Sequence, residues 1–221
     1  MRKVSLYIIF AFVMASVFVS CHQSHKKVLN HAYRLAEFTT DSSLAILNRI
    51  DKSKLSEEDM AKYALVYYMA QDKSGLDVDN DSLIRIAYNW YEKHQEDSLY
   101  ALCLNYMEKY CLLVDSLEQA KACLEKSYYI SDSLHNQEVK CLALSKLIEV
   151  EERLAPYKAL NYAKTLVKMY DEIPDVTIHN EVAAHVQLCE NFWYVDSLQR
   201  ALEEGKIAQK IARRSGNSVL M

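Results

Sequence analysis

Between residues 98 and 134, apolar side chains fall three and four apart at Leu99, Leu102, Cys103, Tyr106, Met107 and Tyr110. They stop at Asp115-Ser116 and resume at Leu117, Ala120, Leu124 and Tyr128. Such spacing puts apolar groups on one face of a 3.6-residue helix, so the stretch predicts helix, turn, helix. Related patterns precede and follow it. Asp-Ser-Leu recurs at 81–83, 97–99, 115–117, 132–134 and 196–198, and the closest pair is Asp-Ser-Leu-Glu-Gln-Ala at 115–120 and Asp-Ser-Leu-Gln-Arg-Ala at 196–201. Tyr157-Lys158-Ala159-Leu160 takes the equivalent place between them, which spaces Ala120, Ala159 and Ala201 by 39 and 42 residues. That is close to the period of helical-hairpin repeats. Aspartate and serine oxygens can accept from the amides left open at a helix start, and alanine lets two helices approach closely. Only 3 Gly and 2 Pro occur in 221 residues, which disfavours a sheet with many tight turns.

The earlier chain reads the same way with weaker signals. A first helix is expected from about Val28 to Glu37, and Thr40-Asp41-Ser42 supplies caps for a second through Leu44, Leu47 and Ile50. Ser56 is the N-cap of a third, with acids in its first turn and an apolar face of Met60, Tyr63, Ala64, Tyr67 and Tyr68. A fourth carries Leu83, Ile86, Ala87 and Trp90.

In the second helix of each later pair, a small residue is followed four positions on by a small or apolar one, and three beyond that by another. These are Ala120, Leu124 and Ser127; Ala159, Ala163 and Leu166; Ala201, Gly205 and Ala208. Leu188, Cys189 and Phe192 stand in the preceding helix of the last pair. This pattern resembles the tetratricopeptide repeat, although the tryptophan of that family's first helix is absent and Glu108 stands where it usually has glycine. The resemblance implies an all-α solenoid of about five degenerate hairpins over residues 28–215, followed by a tail at 216–221. Single hairpins of this kind cannot bury both faces, so stacking supplies the core. No polar capping helix closes the last pair, which leaves its final face to a partner or marks a shortened relative of a longer protein.

Arg2 and Lys3 precede an apolar run from Val4 to Val19 that turns abruptly polar after Ser20-Cys21. Residues 1–20 therefore read as a secretory signal, too short for the ~18–20 apolar residues of a spanning helix. Phe18-Val19-Ser20-Cys21 resembles a bacterial lipobox, which implies lipidation at Cys21, palmitate among its acyl chains, and a polar tether over 21–27. Acyl chains contribute about 0.8 kcal/mol per buried methylene, so several on one cysteine anchor the chain. His22 rather than aspartate after the cysteine favours the outer membrane, with the protein facing the periplasm.

The formal net charge is -4, and loss of Arg2 and Lys3 leaves 24 basic against 30 acidic residues, the wrong sign for a nucleic-acid binder. Catalytic and metal motifs are likewise missing. Asp77-Val78-Asp79-Asn80-Asp81 imitates the start of a calcium loop but has Ser82 and Tyr88 where glycine and a bidentate glutamate belong. Cys103, Cys111, Cys123, Cys141 and Cys189 show no C-x-x-C spacing and read as small apolar core residues. The 16 tyrosines mostly share helical spacing with apolar neighbours and read as core. The chain is expected to be neither an enzyme nor a metal or cofactor carrier, and no small-molecule substrate is expected.

The repeat register places Asn105, Lys109, Leu112, Leu144, Ile148, Glu190 and Trp193 on the concave face, a mixture suited to a helix or extended peptide. The expected function is a scaffold lipoprotein whose partner is a peptide or helix of another cell-envelope protein. An alternative is the sensory input module of a longer signalling protein, and a glycan-capturing lipoprotein is disfavoured because such proteins carry a larger insert.

Overall fold

The computed structural model describes residues 25–75, 81–95, 97–174 and 176–215. The described residues form ten α-helices and no strand: α1 (25–38), α2 (Thr40–Leu47), α3 (Glu57–Lys73), α4 (Asp81–His94), α5 (Asp97–Leu113), α6 (Leu117–Ser133), α7 (Gln137–Leu154), α8 (Pro156–Glu172), α9 (Ile178–Tyr194) and α10 (Leu198–Ser215). Taken in sequence they are five antiparallel pairs, as the repeat pattern predicts. Two compact units divide the chain, one up to Gln95 and one from Glu96.

In the first unit, α3 lies against both α2 and α4. A helix flanked on two sides needs apolar groups around most of its circumference, and Ala61, Tyr63, Ala64, Leu65, Val66, Tyr68, Met69 and Ala70 are all buried. Ser56 caps it as expected, its hydroxyl accepting from the Asp59 amide at 3.1 Å. The second helix differs from expectation. It begins at Thr40 after Thr39, whose hydroxyl turns back to donate to the Leu35 carbonyl instead of capping forward. It ends at Leu47, short of Ile50. Helix α1 already includes residues 25–27, so the polar stretch before Val28 is helical in its last residues and not wholly a tether. Cys21, the leader, residues 76–80 of the calcium-like loop and the 216–221 tail lie outside the described residues.

The second unit stacks three hairpins, α5/α6, α7/α8 and α9/α10, and each packs on the next through α6 against α7 and α8 against α9. Ala120, Ala159 and Ala201 are all buried, which is why the repeat keeps a small residue there. A second recurring contact is polar: Ser127 Oγ donates to the Ala101 carbonyl at 2.7 Å, and in the first unit Ser43 Oγ donates to that of Ala32 at 2.8 Å. Each ties the second helix of a hairpin to the first. Helices α5 and α7, and α7 and α9, also touch, whereas α6, α8 and α10 barely meet one another. The first helices of successive hairpins in this unit therefore meet one another more than the second helices do.

Three of the five Asp-Ser-Leu repeats do a different job from the one their composition predicts, whereas those at 81–83 and 97–99 open α4 and α5. Asp115 and Asp196 adopt φ of 55° and 56°, the left-handed region, and end the preceding helix rather than cap the next. At the first, Ser116 N donates to Cys111 O at 2.8 Å and Asp115 N to Leu112 O at 3.1 Å. At the second, Ser197 N donates to Phe192 O at 2.9 Å and Asp196 N to Trp193 O at 3.0 Å. This paired closure satisfies the last carbonyls of α5 and α9, a task usually given to glycine. His135, at φ 55°, closes α6 with the same two bonds, so Asp132-Ser133-Leu134 marks a helix end and not a start. Aspartate and histidine tolerate this region better than most side chains, which explains how so few glycines suffice.

Candidate protein-interaction surface

The first-helix layer of the second unit is joined by polar bonds that run from helix to helix. Glu108 on α5 is buried and pairs with Lys146 on α7 at 3.0 Å. On α9, Gln187 accepts from Ser145 Oγ at 3.0 Å and donates to the Ser145 carbonyl at 3.2 Å, and Asn191 Nδ2 donates to Glu152 Oε1 at 2.8 Å. These links set Lys109, Glu149, Glu152 and Glu190 into one strip crossing α5, α7 and α9. Four carboxylates, at 108, 149, 152 and 190, face two ammonium groups, at 109 and 146.

The excess of acid shows in the proton affinities. Glu149 is open to solvent at its surface, but the surrounding helices thin the water around its carboxyl and raise its pKa. Lys146 and Lys109 pull that value back, while Glu108 and Glu152 push it further up. Glu152 is raised chiefly by desolvation, against the Asn191 bond and with Glu190 adding to the rise. Carboxylates held in this way gain from any approaching cation.

Of the residues expected on the concave face, Lys109 on α5 and Glu190 on α9 are exposed. Three others belong to the interior. Asn105 is fully buried and donates to the Val139 carbonyl at 3.3 Å in the first turn of α7. Leu144 and Ile148 are buried in one cluster with Ala159, Ala163, Leu188 and Phe192, and Leu144 lines a cavity of about 160 Å³ with Tyr128, Tyr129 and Tyr162. The reason is geometric: a first helix wedged between its own partner and two neighbours has only a narrow exposed stripe, and these positions fall one step outside it. Leu112 is half-buried against the α5/α6 core. Trp193 is 66% exposed but stands apart, lining a groove of about 490 Å³ with Cys189, Leu198, Ala201, Leu202, Gly205, Lys206 and Gln209. Sequence reasoning missed Lys146, Glu149 and Glu152, although their i, i+3, i+6 spacing along α7 is a readable charged stripe.

No protein-family model and no curated protein matches the chain. Among solved structures, it superposes on kinesin light chain TPR-like repeats of Podosopora anserina with a TM-score of 0.62 at 13% identity, covering 87% of this chain and 96% of that one. A second crystal structure of those repeats gives 0.60 at 13% identity, with 87% and 97% covered. BtubC (BKLC) of P. vanneervenii gives 0.64 at 9% identity, with 90% and 92% covered. The fold is a TPR-like repeat. At such identity the likeness is one of fold alone. Among the described residues, no group of three or more His, Cys, Asp or Glu is placed to hold a metal ion, and no helix is long and apolar enough to cross a membrane.

Proposed function

We propose that this chain is a non-catalytic scaffold lipoprotein of the cell envelope, anchored through acyl chains on Cys21 to the outer membrane and facing the periplasm. Its inner strip grips a peptide or helix of another envelope protein, and the chemistry of the strip asks for lysine or arginine on that partner. The observation that carries this reading is the line of Glu149, Glu152 and Glu190 across neighbouring helices, two of them with proton affinities raised by their surroundings. A cationic ligand relieves that repulsion and replaces the water the helices have displaced. Support for the address comes from the leader and the Ser20-Cys21 junction in the sequence.

Crosslinking in intact cells followed by affinity capture tests the scaffold role. A partner recovered with the wild-type chain is expected to be lost with Glu149→Lys plus Glu152→Lys, retained with a control substitution at Lys52, and weakened by salt. Recovery unaffected by the charge reversal overturns the strip as the binding surface. Labelling with a palmitate analogue checks the anchor: wild type takes it up and Cys21→Ala does not. A wild-type chain that stays unlabelled removes the lipoprotein reading.

A further inference from the structure

Helix α1 meets the rest of the first unit along two adjoining sides. Leu29, Ala32 and Ala36 are fully buried, and Lys26, Asn30 and Glu37 bond across to Glu58, Lys62 and Lys73 of α3. At about 100° of turn per residue, positions 27, 31, 34 and 38 fall on the side opposite the buried one. They hold Lys27, His31, Arg34 and Phe38, all exposed, Phe38 at 84%. Among the described residues, no hydrogen bond or ion pair engages Lys27, His31 or Arg34. The acids at the α1/α3 contact, Glu37 and Glu58, are already paired with Lys73 at 2.8 Å and Lys26 at 3.6 Å. The outer face of α1 is thus a basic stripe about 16 Å long that ends in the Phe38 ring.

The place of α1 in the chain decides what this stripe meets. The helix is already formed at His25, four residues after Cys21, and four residues span at most about 14 Å when fully extended. With acyl chains on Cys21 seated in a bilayer, the anchor proposed above and the reading on which this inference rests, the start of α1 is held within that distance of the lipid headgroups. This is comparable to the roughly 10 Å reach of an anionic lipid surface at ordinary salt. Basic groups on one face of a helix are drawn to such a surface, and an aromatic ring on the same face gains by entering the boundary between headgroups and acyl chains. We propose that α1 lies along the membrane surface, with Lys27, His31 and Arg34 against the phosphates of anionic phospholipids and Phe38 inserted among them. Phe38 stands at the end of α1 remote from the anchor, so it reaches lipid only if the whole helix lies down.

The test uses the acylated chain, purified from membranes with Phe38 replaced by the photoreactive p-benzoylphenylalanine and reconstituted in vesicles of phosphatidylethanolamine and phosphatidylglycerol. Illumination followed by mass spectrometry is expected to yield an adduct between residue 38 and lipid. Lys27→Glu plus Arg34→Glu is expected to lower that yield roughly 10-fold while leaving the helical circular dichroism unchanged, and replacing phosphatidylglycerol with neutral phosphatidylcholine to lower it likewise. Lys168→Glu, at an exposed lysine of α8, is expected to leave the yield as it was. An acylated chain that gives no lipid adduct at residue 38 overturns the inference, as does a yield indifferent to the reversal at Lys27 and Arg34. So does crosslinking in intact cells that joins residue 38 to protein and never to lipid. A chain that takes up no palmitate analogue removes the anchor and this inference together, whereas an acylated chain that fails at residue 38 removes this inference alone. Partner capture that depends on Glu149 and Glu152 is independent of both.

Discussion

Replacing Lys121 and Lys158 together with methionine strands the carboxylate of Glu151. That group is fully buried where α6, α7 and α8 meet, and its Oε1 takes Lys158 Nζ at 2.7 Å and Lys121 Nζ at 3.1 Å. The lysines are 40% and 25% exposed, so water can reach them, whereas the carboxylate has no route to solvent. The cost is therefore lopsided. Lys158→Met alone leaves Glu151 one cation, and screening at the exposed partner limits the loss to about 1 kcal/mol. Removing both leaves a buried charge without compensation, which costs about 3–5 kcal/mol. At about 2–4 °C per kcal/mol for a chain of this size, the double variant melts roughly 6–20 °C lower. Adding Glu151→Leu restores most of that, because an apolar group of similar volume in place of a buried ion pair is often neutral or stabilising. Urea and thermal denaturation followed by circular dichroism at fixed ionic strength read all three variants. A double variant losing less than about 1 kcal/mol, or a triple variant no more stable than the double, would falsify the reasoning.

Three further outcomes follow from features already described. Glu149→Gln is expected to stabilise the fold at pH 7. The folded carboxyl binds its proton at higher pH than the ordinary 4.5, so its charged form opposes folding at neutral pH; the gain shrinks on acidification through the folded pKa and vanishes below 4.5, which denaturation at several pH values checks. His135→Gly is expected to stabilise by about 0.5–1 kcal/mol, because glycine takes the left-handed conformation without the Cβ clash that histidine suffers there; a loss of stability contradicts the αL assignment. Burial raises the Cys103 thiol far above its ordinary range and that of Cys141 to about 11, so at pH 8 alkylation followed by mass spectrometry should leave both unlabelled until the chain is denatured. Rapid native labelling of Cys103 would show that α5 is not enclosed.

The pairing of helices and the small-residue positions were legible in the sequence because each is a local pattern repeated several times. Ala120, Ala159 and Ala201 recur at one spacing and meet one packing demand, so their burial follows from the pattern. The inner strip was legible only in part. Periodicity tells an apolar face from a polar one, but residues 101–108 of α5 are buried on every side, and nothing in that run says which polar member faces a neighbour and which faces solvent. Asn105 therefore looked like a ligand group while its amide serves the Val139 carbonyl. Lys146 and Glu152 stand in a stripe that spacing reveals, but their partners at 108 and 191 lie on other helices, so spacing alone does not pair them. Asp115 and Asp196 show a third limit. Composition marks a helix boundary, yet the same residues suit a start or a stop, and only the backbone φ decides.

The uneven spacing of the two helix layers in the second unit has a mechanical side. Successive hairpins pack chiefly through α6 against α7 and α8 against α9, so any relative rotation of hairpins turns on those contacts. The polar links between α5, α7 and α9 brace one side of that packing and form a seam there. A ligand seated on that seam can be followed by small rotations of whole hairpins while the polar links at Glu108, Gln187 and Asn191 stay engaged.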